Sequence, residues 1–324
     1  MGRMTKRIKG AMPMPKRIVT LTLNPAVDAS CATEEVRPVN KLRTTNDRLD
    51  PGGGGINVAR VVNELGGQSF AVYAAGGRSG DVLDELVRDA GVMAHRIATA
   101  EPTRVSHVVF ERRSGQEYRF TPEGPMLAES EWQAALAFVE LLDFDYLVAS
   151  GSLPRGVPDD LYARLAEVVK KRRARLVVDT SGPALAAALG AGVHLVKPNR
   201  SEFARLLGRD LGDPAELAAA ATELVASGST ELLAVTMGHE GALLATPDGI
   251  WRLGTPEVEA RSAVGAGDSF VAGMTWGLAS GESVERAFAL GVAAGTATVL
   301  TPGTELCHLV DVQRFFRDLR PVRA

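Results

Sequence analysis

Cysteine is scarce: Cys31 and Cys307 are the two in 324 residues. They lie far apart and at neither metal-type nor redox-type spacing, which excludes a disulfide framework and suits a reducing cytoplasm. The five histidines, His95, His107, His194, His239 and His308, never fall at ligand spacing, so a zinc centre has no support. An excess of one charge is missing as well. Lys plus Arg total 36 against 39 Asp plus Glu, and the resulting net charge of −3 offers no general attraction to nucleic acid or to an anionic membrane. No run approaches the roughly 20 apolar residues of a membrane span. The best of them, residues 284–300, is broken early by Glu285 and Arg286. Neither glycine signature of nucleotide binding is present. There is no G-x-x-x-x-G-K-[ST], and after the glycines at 52–55 the third position of a G-x-G-x-x-G is taken by Asn57 or Val58. That spacing counts against an NAD-dependent dehydrogenase. A soluble, cytoplasmic protein is expected.

What the chain does have is 45% hydrophobic content, ample for one large α/β domain or two smaller ones. Residues 1–16 are basic, with Met at 1, 4, 12 and 14, and lack the apolar core of a signal peptide. They read as a flexible tail or an upstream start. Residues 17–24 (RIVTLTLN) read as a buried first strand. Residues 29–50 change to short polar-alternating pieces, including 39–44, as if the chain left for a few small strands; strand pieces at 104–111 and 117–121 suggest a return to them. Helices follow at 56–65, 81–90 and 129–142, with a strand at 69–75. Strands at 146–149, 176–178, 193–196 and 232–236 then alternate with helices at 159–171, 184–189, 201–207 and 214–226, the rhythm of βα units on a parallel sheet. A hairpin through 242–253 and helices at 266–279 and 284–300 complete the pattern.

The stretch SAVGAGDSF (262–270) carries the sharpest chemical signal. Gly265, Ala266 and Gly267 leave backbone N–H groups open at a helix mouth, where the helix dipole favours an anion such as a phosphoryl group. Asp268 follows in the first turn, placed to accept the proton of an attacking hydroxyl. Its bland reading is an ordinary helix N-terminal aspartate. Asp28, just past the first strand, could grip sugar hydroxyls through two acceptor oxygens, or be a solvated turn residue. Four consecutive glycines before Ile56 imply a close approach to the backbone, by a ligand or by a strand. The loops SGSLP (150–154), KPNRSE (197–202) and TMGHEG (236–241) each follow a strand and would face one side, as a nucleotide and sugar cleft requires. Glu202 is either a first-turn acid or a magnesium partner through water. Arg104 could bind a phosphate bidentately or be solvated.

Taken together, NPAVD, PGGGGINVAR, SGSLP, VKPNRSE, TMGHEGA and SAVGAGDSF resemble the ribokinase-like sugar kinases of the PfkB family, in the family's order from Asn24 to Phe270, and VAAGTATVLTPGTELC continues the likeness to Cys307. Within the family, PGGGG with QEYRF (116–120) is most similar to the minor 6-phosphofructokinase type. Kinases of fructose 1-phosphate and tagatose 6-phosphate usually carry a lysine within the glycine run. The resemblance implies an α/β three-layer sandwich over residues 17–324, with a central mostly parallel sheet and a small β-sheet lid from about 29–50 and 104–121. It implies ATP-dependent phosphoryl transfer to the 1-hydroxyl of fructose 6-phosphate, with Mg2+ as cofactor. A kinase of another phosphorylated ketose stands as the alternative, and a non-catalytic sugar-phosphate-binding regulator as the reading from another class.

By the same resemblance Asp268 is the base and Gly265, Ala266 and Gly267 form the anion hole. Asp28, Gly53, Gly54, Gly55 and Asn57 hold the sugar, and Lys41, Arg104 and Ser152 its phosphate end or the bridging phosphates. Lys197, Asn199, Thr236, Gly238, Gly241, Val292 and Thr296 fall on the ATP side, and Asn199 with Glu202 on the magnesium side. Ser262, Val264, Thr298, Thr301 and Gly303 match a loop that binds K+ in relatives, although Thr301 and Glu305 replace the Asn and Arg often found there. The lid implies a homodimer contact. No nucleic-acid or membrane partner is expected.

Overall fold

The computed structural model describes residues 16–324; the expected basic tail therefore lies outside the described residues, Lys16 excepted. Strand β1 (Ile18–Thr22) is central, and the pattern IVTLT explains why. Side chains alternate across a strand, so Ile18, Thr20 and Thr22 face one layer while Val19 and Leu21 face the other, and all five are buried. Complete burial of a side chain such as Leu21 stabilises the fold by roughly 1.5–3 kcal/mol.

From β1 the chain leaves the main sheet as β2 (Ala26–Thr33) and β3 (Thr45–Gly52), returns as α1 (Gly54–Glu64) and β4 (Ser69–Gly76), then continues through α2 (Gly77–Asp89) and β5 (Met93–Thr99). A second excursion makes β6 (Arg104–Glu111) and β7 (Glu117–Phe120). Next come α3 (Glu129–Leu141), β8 (Tyr146–Ser150), α4 (Leu161–Arg172), β9 (Arg175–Asp179), α5 (Gly182–Ala191), β10 (Val193–Val196), α6 (Arg200–Leu207), α7 (Pro214–Ala226) and β11 (Thr230–Thr236). A 3-10 turn at Gly238–Glu240, the hairpin β12 (Ala242–Thr246) and β13 (Gly249–Leu253), helices α8 (Ala266–Ala279), α9 (Val284–Thr298) and α10 (Leu309–Asp318), and the short β14 (Val322–Arg323) end the chain.

The main sheet has ten strands in the order β14-β13-β12-β11-β10-β9-β8-β1-β4-β5. Pairing is parallel from β5 to β11 and antiparallel through β12, β13 and β14. One face packs on a core containing Trp132, Leu165, Leu185, Phe203 and Leu217; the other packs on Val58, Phe270, Met274, Phe288 and Val292. This is the ribokinase-like three-layer α/β architecture. The small sheet, β3-β2-β6-β7, stands apart. Because β1 has β4 on one side and β8 on the other, strand order reverses there, and the crevice beyond the carboxyl ends of β1 and β8 is where such sheets bind ligands.

Several expectations need correction. Residues 39–44 form a turn and coil, not a strand: Val39 takes φ 67°, and the Asn40 amide donates to Pro38 O at 3.2 Å, which is turn chemistry. Asp28 lies inside β2, not in a turn after the first strand. Helix α1 starts within the glycine run, at Gly54, two residues before the expected Ile56. Strands β5 and β14 and helix α10 were not expected. MAHRIAT in β5 is an edge strand with a single buried residue, Ile97, and lacks the alternation that signals a strand. Helix α10, by contrast, does carry a helical apolar stripe, Leu309, Val312, Phe315 and Phe316, the last three packed on the core beside α9, and this signal was passed over.

Candidate active site

The mouth of α8 is built by what glycine alone permits. Gly265 caps the helix with φ 75°, and a Cβ there would lie 2.5 Å from Leu306 Cδ2. The first N–H groups of a helix have no intrahelical acceptor. Ala266 N has only a long 3.4 Å contact to Ala263 O, so this turn keeps donors for an anion. Asp268 projects from the same turn, and its Oδ2 accepts a 2.9 Å hydrogen bond from the Asn57 amide of α1. Burial pushes the Asp268 carboxyl up to about 6, and the nearby Asp179 carboxylate adds to this, while Asn57 and Lys197 pull it down.

Behind the mouth lies an ion pair that sequence reasoning missed in half. Lys197, buried at the end of β10, places Nζ 3.2 Å from Asp179 Oδ1 at the end of β9. A Cβ on Gly267 would stand 3.3 Å from that ammonium, so glycine lets the cation approach the helix mouth. Burial opposes the charge of Lys197, yet the carboxylates of Asp179, Asp268 and Glu202 hold it above the ordinary lysine range. Asp179 is raised, chiefly by burial and against the pull of Lys197. The available signal was an aspartate closing an apolar strand at the carboxyl edge of the sheet.

The second carboxylate of the cleft is Asp28. Burial raises it to about 6, opposed by Arg104 and reinforced by Asp268 and Asp50. Its register partner is Asp50 on β3, and a Cβ on Gly52 would lie 2.1 Å from Asp28 Oδ2. The rest of the glycine run meets protein as well. Gly54 abuts Ser150 Oγ, where a Cβ would come to 2.1 Å, and Gly55 abuts Thr22 Oγ1 at 2.5 Å. Gly53 has φ 114°. Between a ligand and a strand, the strand ends of β1 and β8 account for the run, which brings the start of α1 against the crevice.

Around it, Asn24 Nδ2 donates to Glu123 O at 2.8 Å and Ser152 Oγ at 3.1 Å, so the NPAVD and SGSLP stretches meet. Arg104 donates to Asn24 O and Pro122 O at 2.8 Å each and to Pro25 O at 3.4 Å. Three of its five N–H groups thus hold the loops around Asp28. Lys41 is exposed on the coil between β2 and β3.

On the other side of α8, Asn199 caps α6. Its Oδ1 accepts from Glu202 N at 2.9 Å while Glu202 Oε2 accepts from Asn199 N at 2.8 Å, a reciprocal capping box. Asn199 bridges to Thr236, and Arg200 pairs with Glu240 through two bonds of 2.9 and 2.6 Å, joining α6 to the 3-10 turn. Gly238 and Gly241 take φ 60° and 102°, and a Cβ on Gly241 would lie 2.1 Å from Leu253 O. Val292 and Thr296 are buried on α9. Thr296 Oγ1 has no hydrogen-bond partner among the described residues.

The two halves of the expected potassium loop meet: Arg261 N donates to Val299 O at 2.7 Å, and Ser262 Oγ accepts from Val264 N at 3.2 Å. Thr298 fits a ligand role poorly, because its carbonyl already accepts from both Thr301 N (3.1 Å) and Thr301 Oγ1 (2.7 Å). Gly303, with φ 60°, packs by Ser30. Among the described residues, no three His, Cys, Asp or Glu side chains gather into a metal cage, and no helix is long and apolar enough to cross a membrane.

Comparison with known proteins agrees with this fold. The model of the pfkB family carbohydrate kinases matches residues 19–310. The chain is 44% identical to ATP-dependent 6-phosphofructokinase isozyme 2 of Mycobacterium tuberculosis, over 93% of this chain and 89% of that protein. The Escherichia coli isozyme 2 is 40% identical over 93% and 98% of the two chains, and its structure as phosphofructokinase-2 with substrates and products superposes at a TM-score of 0.89. That protein has also been solved with fructose 6-phosphate, with potassium, and as a tetrameric inhibited form. A 1-phosphofructokinase of Bacillus subtilis is more distant, at 33% identity over 89% and 95%.

Proposed function

The chain belongs to the pfkB family of carbohydrate kinases, and from that premise we propose that it is an ATP-dependent 6-phosphofructokinase. It transfers the γ-phosphoryl group of ATP to the 1-hydroxyl of fructose 6-phosphate, giving fructose 1,6-bisphosphate and ADP. The observation that carries this reading is Asp268, raised to about 6, beside the open N–H groups of the α8 mouth. A carboxylate of that pKa is ionised at neutral pH yet basic enough to take a hydroxyl proton. It is a proton acceptor set next to an anion site.

Asp28, the 53–57 segment and Asn57 hold the sugar hydroxyls so that the 1-hydroxyl points at Asp268. Arg104 keeps two N–H groups beyond its three carbonyl bonds, and these, with Ser152 and Lys41, bind the phosphate end. As the oxygen attacks phosphorus, its proton passes to Asp268. Gly265, Ala266 and Gly267 N–H groups, with the Lys197 ammonium behind Gly267, neutralise charge on the transferred group. The Asn199 to Glu202 cap and the 236–241 turn, with Val292 and Thr296 from α9, form the ATP side.

Magnesium would arrive with the nucleotide phosphates, with Asn199 and Glu202 as the side chains to hold it through water, because among the described residues no group of His, Cys, Asp and Glu side chains gathers into a cage that would hold it alone. When bound it shields phosphate charge. Potassium would be met by carbonyls of Ser262, Val264, Thr301 and Gly303. The small sheet acts as a lid and as a homodimer contact in the cytoplasm: its register aligns Leu49, Ala29, His107 and Phe120 in one row, and Leu49 and Phe120 are 50% and 58% exposed.

A coupled ADP-release assay with Mg-ATP and fructose 6-phosphate, fructose 1-phosphate, tagatose 6-phosphate, fructose and ribose tests the reading. Fructose 6-phosphate should give the highest kcat/KM. Preference for another phosphorylated ketose would overturn the substrate assignment and keep the mechanism; sugar binding without turnover would favour a regulator.

A further inference from the structure

Behind the Asn57–Asp268 hydrogen bond runs a line of polar contacts that the proposed chemistry does not use. Arg60, one turn along α1 and nearly buried, donates from Nη1 to Asn57 Oδ1 at 3.2 Å and to Pro51 O at 3.1 Å. Its Nη2 lies 3.5 Å from Asp50 Oδ1, whose residue is 4% exposed. Asp50 Oδ2 accepts from Thr304 Oγ1 at 2.6 Å and pairs with Arg48 Nε at 2.8 Å, and Arg48 Nη1 reaches Glu305 Oε2 at 2.8 Å. A carboxamide has two unlike ends, and these neighbours decide which faces where. The guanidinium accepts nothing, so Asn57 must turn its oxygen to Arg60, which leaves its NH2 for the Asp268 carboxylate. A flipped amide would set oxygen against carboxylate and N–H against guanidinium.

We propose that Arg60, held by Asp50, is a positioning residue that keeps the Asn57 amide turned with its N–H toward Asp268, and that Asp50 ties this arrangement to the 304–305 segment. The inference rests on Asp268 acting as the base. A hydrogen bond donated to a carboxylate favours its ionised form. Losing it therefore raises Asp268 and moves the acid limb of the kcat profile to higher pH. Asp28 of β2, Asp179 of β9 and Lys197 after β10 also act on this region, while Asp50, Arg48, Asp28 and Glu305 act on Arg60. The test must hold their net charge fixed.

Two variants do so. Arg60→Lys keeps the cation for Asp50 but lacks the planar fork, and the double variant Asp50→Asn with Arg60→Gln removes one charge of each sign. Arg48→Lys, which keeps the charge and weakens only the outer bonds, is the control, and melting temperature establishes that each protein is folded. We expect both Arg60 variants to lose roughly tenfold in kcat, with a smaller change in KM for fructose 6-phosphate, and their acid limb to move up by about half a pH unit or more. The control should keep the wild-type limb. Folded Arg60 variants with an unmoved acid limb would overturn the proposal while Asp268→Asn still abolished turnover; full turnover by Asp268→Asn would remove the base reading itself, and the proposal with it.

Discussion

Asp268 combines two demands that pull in opposite directions. Burial and Asp179 raise its carboxyl from 3.8 to about 6, which suits a base but leaves an ionised group in a partly desolvated cleft at neutral pH. Its folded pKa lies above the unfolded one, so its contribution to stability is most favourable below about 4 and is lost as pH rises through about 6. Asp268→Asn should therefore lower kcat at least about a hundredfold and raise Tm by a few degrees, roughly 2 kcal/mol in a chain of this size. Steady-state kinetics and a thermal melt on the same sample check both. Wild-type kcat should fall on the acid side with an apparent pKa near 6, a value that belongs to Asp268 together with the similarly raised Asp28. Asp268 and Asp28 were singled out because each stands in a short stretch whose chemistry is local, and Asn57 only through the family resemblance. Asp179, Asp50 and Arg60 were not, because their meaning lies in partners that only the folded sheet brings near: Lys197, Thr304 and Asn57.

Elements were legible where packing is continuous and obscure where it is slight. The strands β1, β8 and β10 are buried along their length and announce themselves as apolar runs. The edge strand β5, with one buried residue, gives no such run, whereas α10 has a legible helical stripe, Leu309, Val312, Phe315 and Phe316, that went unread. Glycines marked close approaches without naming what approaches. In the PGGGG run it is Thr22, Asp28 and Ser150; between α8 and α9 it is helix backbone. A Cβ on Gly273 would stand 2.7 Å from Leu290 O, and one on Gly277 2.8 Å from Ala287 Cα. These two helices cross closely because small residues face each other, and α8 carries Asp268, the proposed base, at its first turn. Gly277→Val should force them apart at about 1–3 kcal/mol, lowering Tm by roughly 2–10 °C. Differential scanning calorimetry reads this directly. An unchanged Tm would mean that α8 and α9 can separate without loss.

At the scale of the molecule, the small sheet presents opposite characters on its two sides. Asp28 and Asp50 belong to the site side, whereas the Leu49, Ala29, His107 and Phe120 row faces away. Pairing that outward row with a second copy would cover apolar surface and shield a sheet edge. Leu49→Asp with Phe120→Asp should convert a dimer to monomers in analytical ultracentrifugation and raise KM for the sugar phosphate severalfold; unchanged sedimentation would place the contact elsewhere. The βα rhythm and the order of the motifs made the three-layer architecture readable, though not its peripheral elements β5, α10 and β14. How the lid meets the 304–305 segment, through Arg48 to Glu305 and Thr304 to Asp50, was invisible because those residues are about 250 positions apart. The central claim is phosphoryl transfer to the 1-hydroxyl of fructose 6-phosphate, and 31P NMR of the protein with Mg-ATP and that sugar tests it most directly. A new phosphomonoester at C1 should appear in step with ADP and be absent with Asp268→Asn; ADP formed without a second sugar phosphate, or phosphate at another carbon, would contradict it.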